Sequence, residues 1–332
     1  MALKIKKSGG IALLRKMKYV TILILIAVIV YLTYINNFAV EYLKPTKVEK
    51  TSDIVVKQVA LSLAKDADTI ILDNNGFVWR CSNDIFNENN TEDITKVKNL
   101  QNIVEIDAGY SHYLGLKNDG TVWAWGDNGS GQLGNGNTIS KNTPMFVEQV
   151  KDIKQVKCGV EYTIALDKNG FVWTWGFNRS GQLGYESANE INTIPQRVEG
   201  LSNIKSIECG AVFSMAVDNN ECVWSWGCNN GELGTELSSF DGISRIGVFE
   251  KISMISCGID HSVLVLSNGE VQGWGNNKNG QLGIKMSYQG RDRIISKPTK
   301  IKNINNVMTA NANKDITVLI KNDGSLWYLK SE

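Results

Sequence analysis

The side chains in this sequence with chemistry to offer are two histidines, six cysteines, nine tryptophans and a series of glycine-rich loops. His112 and His261 occupy the same place in a repeated pattern, and the copies between them put Tyr162 and Phe213 there. A general base must exchange a proton and phenylalanine cannot, so this position reads as packing. Cys158, Cys209 and Cys257 precede a repeated glycine where other copies have Ala64, Ala108 and Ala312, which marks them as small apolar fillers. Cys81 stands where Trp125 would fall. Cys222 and Cys228 flank one strand, a disulfide between them being the alternative to two free thiols. No CxxC pair or other zinc spacing occurs. The Gly-Gln-Leu-Gly loops lack the Gly-Lys-Ser/Thr of a phosphate cradle. Asp127 to Gly131 resembles the start of a calcium loop without its later carboxylate. Trp123 with Trp125, and Trp173 with Trp175, share a strand face, which suits packing between repeats better than stacking on a sugar. The reading is of no catalytic residue, no cofactor and no metal.

The elements that carry these residues repeat. Trp125-Gly126, Trp175-Gly176, Trp226-Gly227 and Trp274-Gly275 recur with glycine spacings of 50, 51 and 48. Each copy runs in the same order: an apolar strand ending in a small residue and glycine, a second strand, an Asn/Asp-Gly turn, a Trp-bearing strand, and a glycine loop. Short alternating strands separated by such turns predict antiparallel sheet. Two weaker copies flank the four clear ones, one around Gly76 and Trp79 and one around Gly324 and Trp327, making six. In these outer copies Lys65 and Asn313 replace the strand-end glycine. The last copy stops after its Trp strand, without the Pro-x-x-Val strand that follows Trp in the others. Pro45 to Val48 matches Pro144 to Val147, Pro195 to Val198 and Pro298 to Ile301, so residues 45–50 are expected to close the sixth unit. Closure would leave no open sheet edge.

Ahead of the repeats, Tyr19 to Val40 is a run of 22 uncharged, mostly aliphatic residues, long enough as a helix to span about 30 Å of hydrocarbon. Residues 1–50 hold nine Lys and Arg against two acids. Lys4, Lys6, Lys7, Arg15, Lys16 and Lys18 precede the apolar run, so the positive-inside rule keeps 1–18 as a cytoplasmic tail. The expected organisation is a basic tail 1–18, a transmembrane signal-anchor helix 19–40 and a repeat body 41–332 outside the cytoplasm. A cleaved signal peptide is the competing reading, against which stand the length of the apolar core and the lack of a small-x-small site at Asn37 to Ala39. The rest of the chain carries twenty-six basic and thirty-two acidic side chains, a balance that repels phosphate backbones, so no nucleic-acid partner is expected.

The motif series, with Gly131 to Gly134, Gly181 to Gly184, Gly231 to Gly234 and Gly280 to Gly283 in register behind the Trp-Gly pairs, resembles the regulator of chromosome condensation repeat family over about residues 45–332. That resemblance implies an all-β propeller of four-stranded blades. The family is most familiar with seven, and this chain supplies six repeats. The founding member is a chromatin-bound exchange factor for a small nuclear GTPase, but the shared motif residues are structural and do not carry that activity.

A propeller scaffold leaves its loops free to vary, so specificity is sought there. One candidate partner-binding ring follows the strand-end glycines: Tyr110 and Ser111, Val160 and Glu161, Ala211 and Val212, Ile259 and Asp260. The connections 135–143, 185–194, 235–247 and 284–297 are a second. The leading expectation is a membrane-anchored, non-catalytic binding or scaffold module recognising a protein or an envelope component. The alternatives are an enzyme, a hydrolase or lyase with its site at the channel mouth, and a guanine-nucleotide exchange factor.

Overall fold

In a computed structural model of the chain, described for residues 2–4, 54–64, 67–81, 94–235, 242–284, 293–313 and 316–329, the repeats form six four-stranded antiparallel sheets. The third is representative, with strands Ile153–Cys158, Tyr162–Asp167, Val172–Phe177 and Ile191–Arg197 in sequence order from the channel outward. The described residues form a propeller of six blades, not the seven most familiar from the resemblance. The innermost strands are Val56–Ala60, Ile103–Ala108, Ile153–Cys158, Ile204–Cys209, Ile252–Cys257 and Val307–Asn313.

Local chemistry sets the turns. Asp167 Oδ1 accepts the Asn169 and Phe171 N–H groups, and its Oδ2 accepts Trp173 Nε1–H at 3.1 Å, so one carboxylate shapes the hairpin and holds the next strand. Asp73 and Asp218 do the same for Trp79 and Trp224. Where lysine replaces the aspartate, its ammonium sits over the ring instead, Lys117 at 4.2 Å from Trp123 and Lys321 at 4.4 Å from Trp327.

Blades pack face to face through apolar layers. One layer joins Leu114, Leu116 and Val122 of the second blade to Val156, Ala165 and Trp175 of the third. Trp175, Trp226 and Trp274 are fully buried, and their indole N–H groups donate to the carbonyls of Gln132, Gln182 and Glu232 at 2.8, 2.9 and 2.8 Å. The Gly-Gln-Leu-Gly loop is therefore a latch that the following blade's tryptophan fastens. Gly134, at φ +69°, lets that indole close to where a Cβ would lie 2.7 Å from Trp175 Nε1. At the fifth blade the neighbour of Gly283 is Leu329, with no indole to donate.

The outermost place of the sixth blade is held by Ala2–Lys4, with Ala2, Leu3 and Lys4 opposite Leu329, Tyr328 and Trp327. Residues 45–50, expected there from the repeat comparison, lie outside the described residues, as does the apolar segment 19–40. Among the described residues no helix is long and apolar enough to cross a membrane. One correction concerns the first blade. Ala64 donates its N–H to Tyr110 O at 3.0 Å, so Ala64 stands level with Tyr110 rather than with Ala108, and Leu63 is level with Gly109. The alignment of Lys65 with the strand-end glycine fails accordingly, and Lys65 itself is outside the described residues.

Candidate channel-mouth site

Six inner strands converge on one cavity of about 470 Å³, lined by residues of all six blades. The predicted ring of loop residues surrounds its mouth. Backbone hydrogen bonds pass from blade to blade there: Ala64 N–H to Tyr110 O, Tyr110 N–H to Val160 O and Val160 N–H to Ala211 O, each 3.0 Å, then Ala211 N–H to Ile259 O at 3.4 Å. Glycine just ahead makes this approach possible, since a Cβ on Gly109 would lie 2.4 Å from Gly159 O. Four of the eight predicted positions thus supply a fixed backbone rim.

Their side chains differ in availability. Tyr110 is 49% exposed and Leu63 beside it 38%, whereas Ser111, Val160, Glu161, Ala211, Val212, Ile259 and Asp260 are half-buried. Glu161 Oε2 accepts from Ser130 Oγ at 3.2 Å, and Asp260 Oδ2 accepts from Asn276 Nδ2 at 2.7 Å, so both carboxylates are tied to the glycine loops. Loop residues 236–241 and 285–292 lie outside the described residues.

Below the rim, inner strands cannot pair edge to edge, and side chains satisfy their backbone instead. Gln155 accepts the Ile207 N–H and donates to Ile207 O at 3.0 and 2.9 Å, and Gln58 does the same with Ile106 at 3.0 and 2.7 Å. Asp107 Oδ2 accepts Cys158 N–H at 2.7 Å, and Ser256 Oγ accepts Ala312 N–H at 3.0 Å. Lys157 Nζ meets Glu208 Oε1 at 2.9 Å, both side chains being less than a quarter exposed. Burial pushes Glu105 up to about 7, against the pull of Lys157. Burial raises Asp107 and Glu208 as well. Burial opposes the Lys157 ammonium, but Glu208, Asp107 and Glu105 outweigh it and hold the amine charged.

Sequence reasoning missed this group of four. Its signal was the spacing of two in Glu105 and Asp107, which puts both on one strand face. It also treated Cys158, Cys209 and Cys257 only as fillers, whereas all three line the cavity. Burial raises each thiol's pKa well above its ordinary value, so they stand as thiols rather than nucleophilic thiolates. All six cysteines are free, Cys222 and Cys228 included.

The histidines lie at blade junctions, away from the cavity lining. His112 Nε2 is 3.3 Å from Thr163 Oγ1 and His261 Nε2 is 3.0 Å from Thr317 Oγ1, each on the next blade. Tyr162 makes the corresponding reach to Ser214 at 3.1 Å. Burial lowers His112 to about 4 and His261 to about 3, leaving both neutral. Among the described residues no group of three His, Cys, Asp or Glu is arranged to hold a metal ion.

A sequence profile of the RCC1-like domain matches residues 81–329. The human E3 ubiquitin-protein ligase HERC2 is 30% identical over 278 residues, covering 78% of this chain and 6% of HERC2. The Xenopus laevis protein RCC2 homolog is 31% identical over 222 residues, covering 58% of this chain and 43% of that protein. The chain therefore spans a minor part of these relatives' lengths. Yeast RCC1 (Prp20), in a crystal structure with Kap60, superposes with a TM-score of 0.72 at 21% identity, covering 84% of this chain and 70% of that one. Human WBSCR16 follows with a TM-score of 0.68 at 20% identity, covering 87% and 75%. The solved structures share the fold at these identities, and with the matched profile spanning three of every four residues, the chain belongs to the RCC1-like domain family.

Proposed function

We propose that this protein is a non-catalytic binding or scaffold module that engages a protein or cell-envelope component through the channel-mouth face. The observation that carries the reading is the rim. Its backbone is locked by bonds between blades, while the side chains at the same positions differ from blade to blade, as a recognition surface on a rigid support requires. Yeast Prp20p, whose crystal structure was described with its binding to Gsp1p and histones, is a precedent for protein recognition by this fold. An enzymatic reading draws on the buried carboxylates of the cavity, but Asp107 and Glu208 are each engaged in holding adjacent blades together. The test is a photo-crosslinking residue at Tyr110 in the full-length chain in living cells, with Val104 at the other end of the inner strand as control. The expected result is an adduct from Tyr110 that Ile259→Asp abolishes. Adducts from Val104 alone refute the reading.

Display on the membrane through residues 19–40 belongs to the same proposal and rests on the sequence. It carries a condition: a single crossing puts residues 2–4 and the propeller on opposite sides, so an anchored chain cannot also keep Ala2–Lys4 in the sixth blade. Exchange activity on a small GTPase would require the propeller to face the cytoplasm, and a topology test separates that alternative.

A further inference from the structure

We propose that the mouth and throat of the channel dock a protein segment presenting one arginine or lysine between apolar side chains, the cation entering the throat and its neighbours covering the rim. This rests on the binding-module reading and names the chemistry of the partner.

The rim is apolar where it is most open. Leu63 and Tyr110 are 38% and 49% exposed, and Val160 and Ile259 continue the ring around the opening. Single exposed apolar residues are ordinary, but two side by side, continued by the half-buried Val160 and Ile259 at the mouth of a cavity, suit a partner's apolar side chains. The throat is short of positive charge. Glu105, Asp107 and Glu208 are answered by Lys157, and the buried Glu208 Oε2 has no hydrogen-bond partner among the described residues. Burying carboxylates in such excess is unfavourable until a cation joins them. Depth fits as well: Asp107 lies two residues inside Gly109, about 7 Å along the strand, a distance an extended arginine spans. The cavity of about 470 Å³ admits a long side chain rather than a folded element. An acidic segment would meet like charge in the throat and on the rim, where Glu161 and Asp260 stand.

The probe is a phage-displayed library of random decapeptides selected on the full-length chain. The expected outcome is enrichment of sequences with one basic residue between apolar ones, binding at least tenfold weaker to Asp107→Asn/Glu208→Gln and to Tyr110→Ser. Should the channel variants fold poorly, Ile259→Lys serves instead, since a cation planted on the rim should weaken the same peptides at least tenfold. Enriched peptides that are acidic or lack a basic residue, yet are lost on Tyr110→Ser, overturn the charge assignment and leave the binding-module reading standing. Peptides indifferent to Tyr110→Ser, or no enrichment, overturn the charged-segment proposal, and the crosslinking test at Tyr110 then decides the binding-module reading by itself.

Discussion

Replacing Lys157 with methionine tests the electrostatics of the channel wall most directly. The ammonium lies 2.9 Å from Glu208 Oε1, with Asp107 and Glu105 also drawing on its charge. Removing one partner of a buried pair costs about 3–5 kcal/mol, because the carboxylates left behind in the narrow channel lose their counterion and are only partly reached by water. They can, however, take up protons. Loss of the cation raises their folded-state pKa values further above the unfolded ones, so the variant regains stability as pH falls below those values and loses it as pH rises through them. The expected penalty is about 3 kcal/mol at pH 8, shrinking to about 1 kcal/mol at pH 5. Urea unfolding followed by tryptophan fluorescence at the two pH values measures it. The buried histidines titrate in both proteins and cancel in the difference. An equal loss at both pH values would show that Lys157 contributes through packing of its alkyl stem, and the charge argument would fall.

Other outcomes follow from the same geometry. Gly134→Ala must strain a left-handed residue and push on the Trp175 indole, and should cost about 1–3 kcal/mol in thermal or urea unfolding. Asp167→Ala orphans three donors and should cost roughly 3 kcal/mol, whereas Lys117→Ala at the same repeat position, losing one ring contact, should cost under about 1 kcal/mol; similar losses would contradict the division of roles. Burial holds His112 at about 4, below its ordinary 6.5, so its contribution is intact above pH 6.5 and is lost as pH falls toward 4; His112→Phe, which copies Phe213, should abolish about 3 kcal/mol of that acid-side loss in a pH series of urea midpoints. In intact cells, with the six native cysteines replaced by alanine, a membrane-impermeant maleimide should label Tyr110→Cys and spare Leu3→Cys if residues 19–40 cross the membrane; labelling of both would refute the anchor and favour the Ala2–Lys4 strand.

Much of the architecture is readable from spacing, because Trp-Gly pairs and Asn-Gly turns are needed wherever a blade is built. What those motifs touch is not. Gln132 reads as turn chemistry until Trp175, 43 residues later, is seen to donate to its carbonyl. The rim positions follow from their place after the strand-end glycine, but the bonds joining Tyr110 to Val160 and Val160 to Ala211 depend on the pitch between blades, which no local pattern encodes. The throat was missed for a related reason: alternation puts Glu105 and Asp107 on one face of a strand without saying that this face meets a channel shared with Lys157 and Glu208. In the first blade the strand-end motif is too worn to align, and the hydrogen bonds to the second blade, Leu63 to Gly109 and Ala64 to Tyr110, are what place its end.

The tryptophan latches also have a polarity. Each fastens the loop of the blade made before it, so a nascent blade stays unfinished until roughly forty further residues have been synthesised. The series runs out at the join: Leu329 stands in for the indole against the fifth blade's loop, and Cys81 occupies the equivalent place in the first. The two junctions concerned are those on either side of the sixth blade, so the circle should part there first when heated or pulled. Amide exchange should be fastest there and slowest across the second to fourth blades.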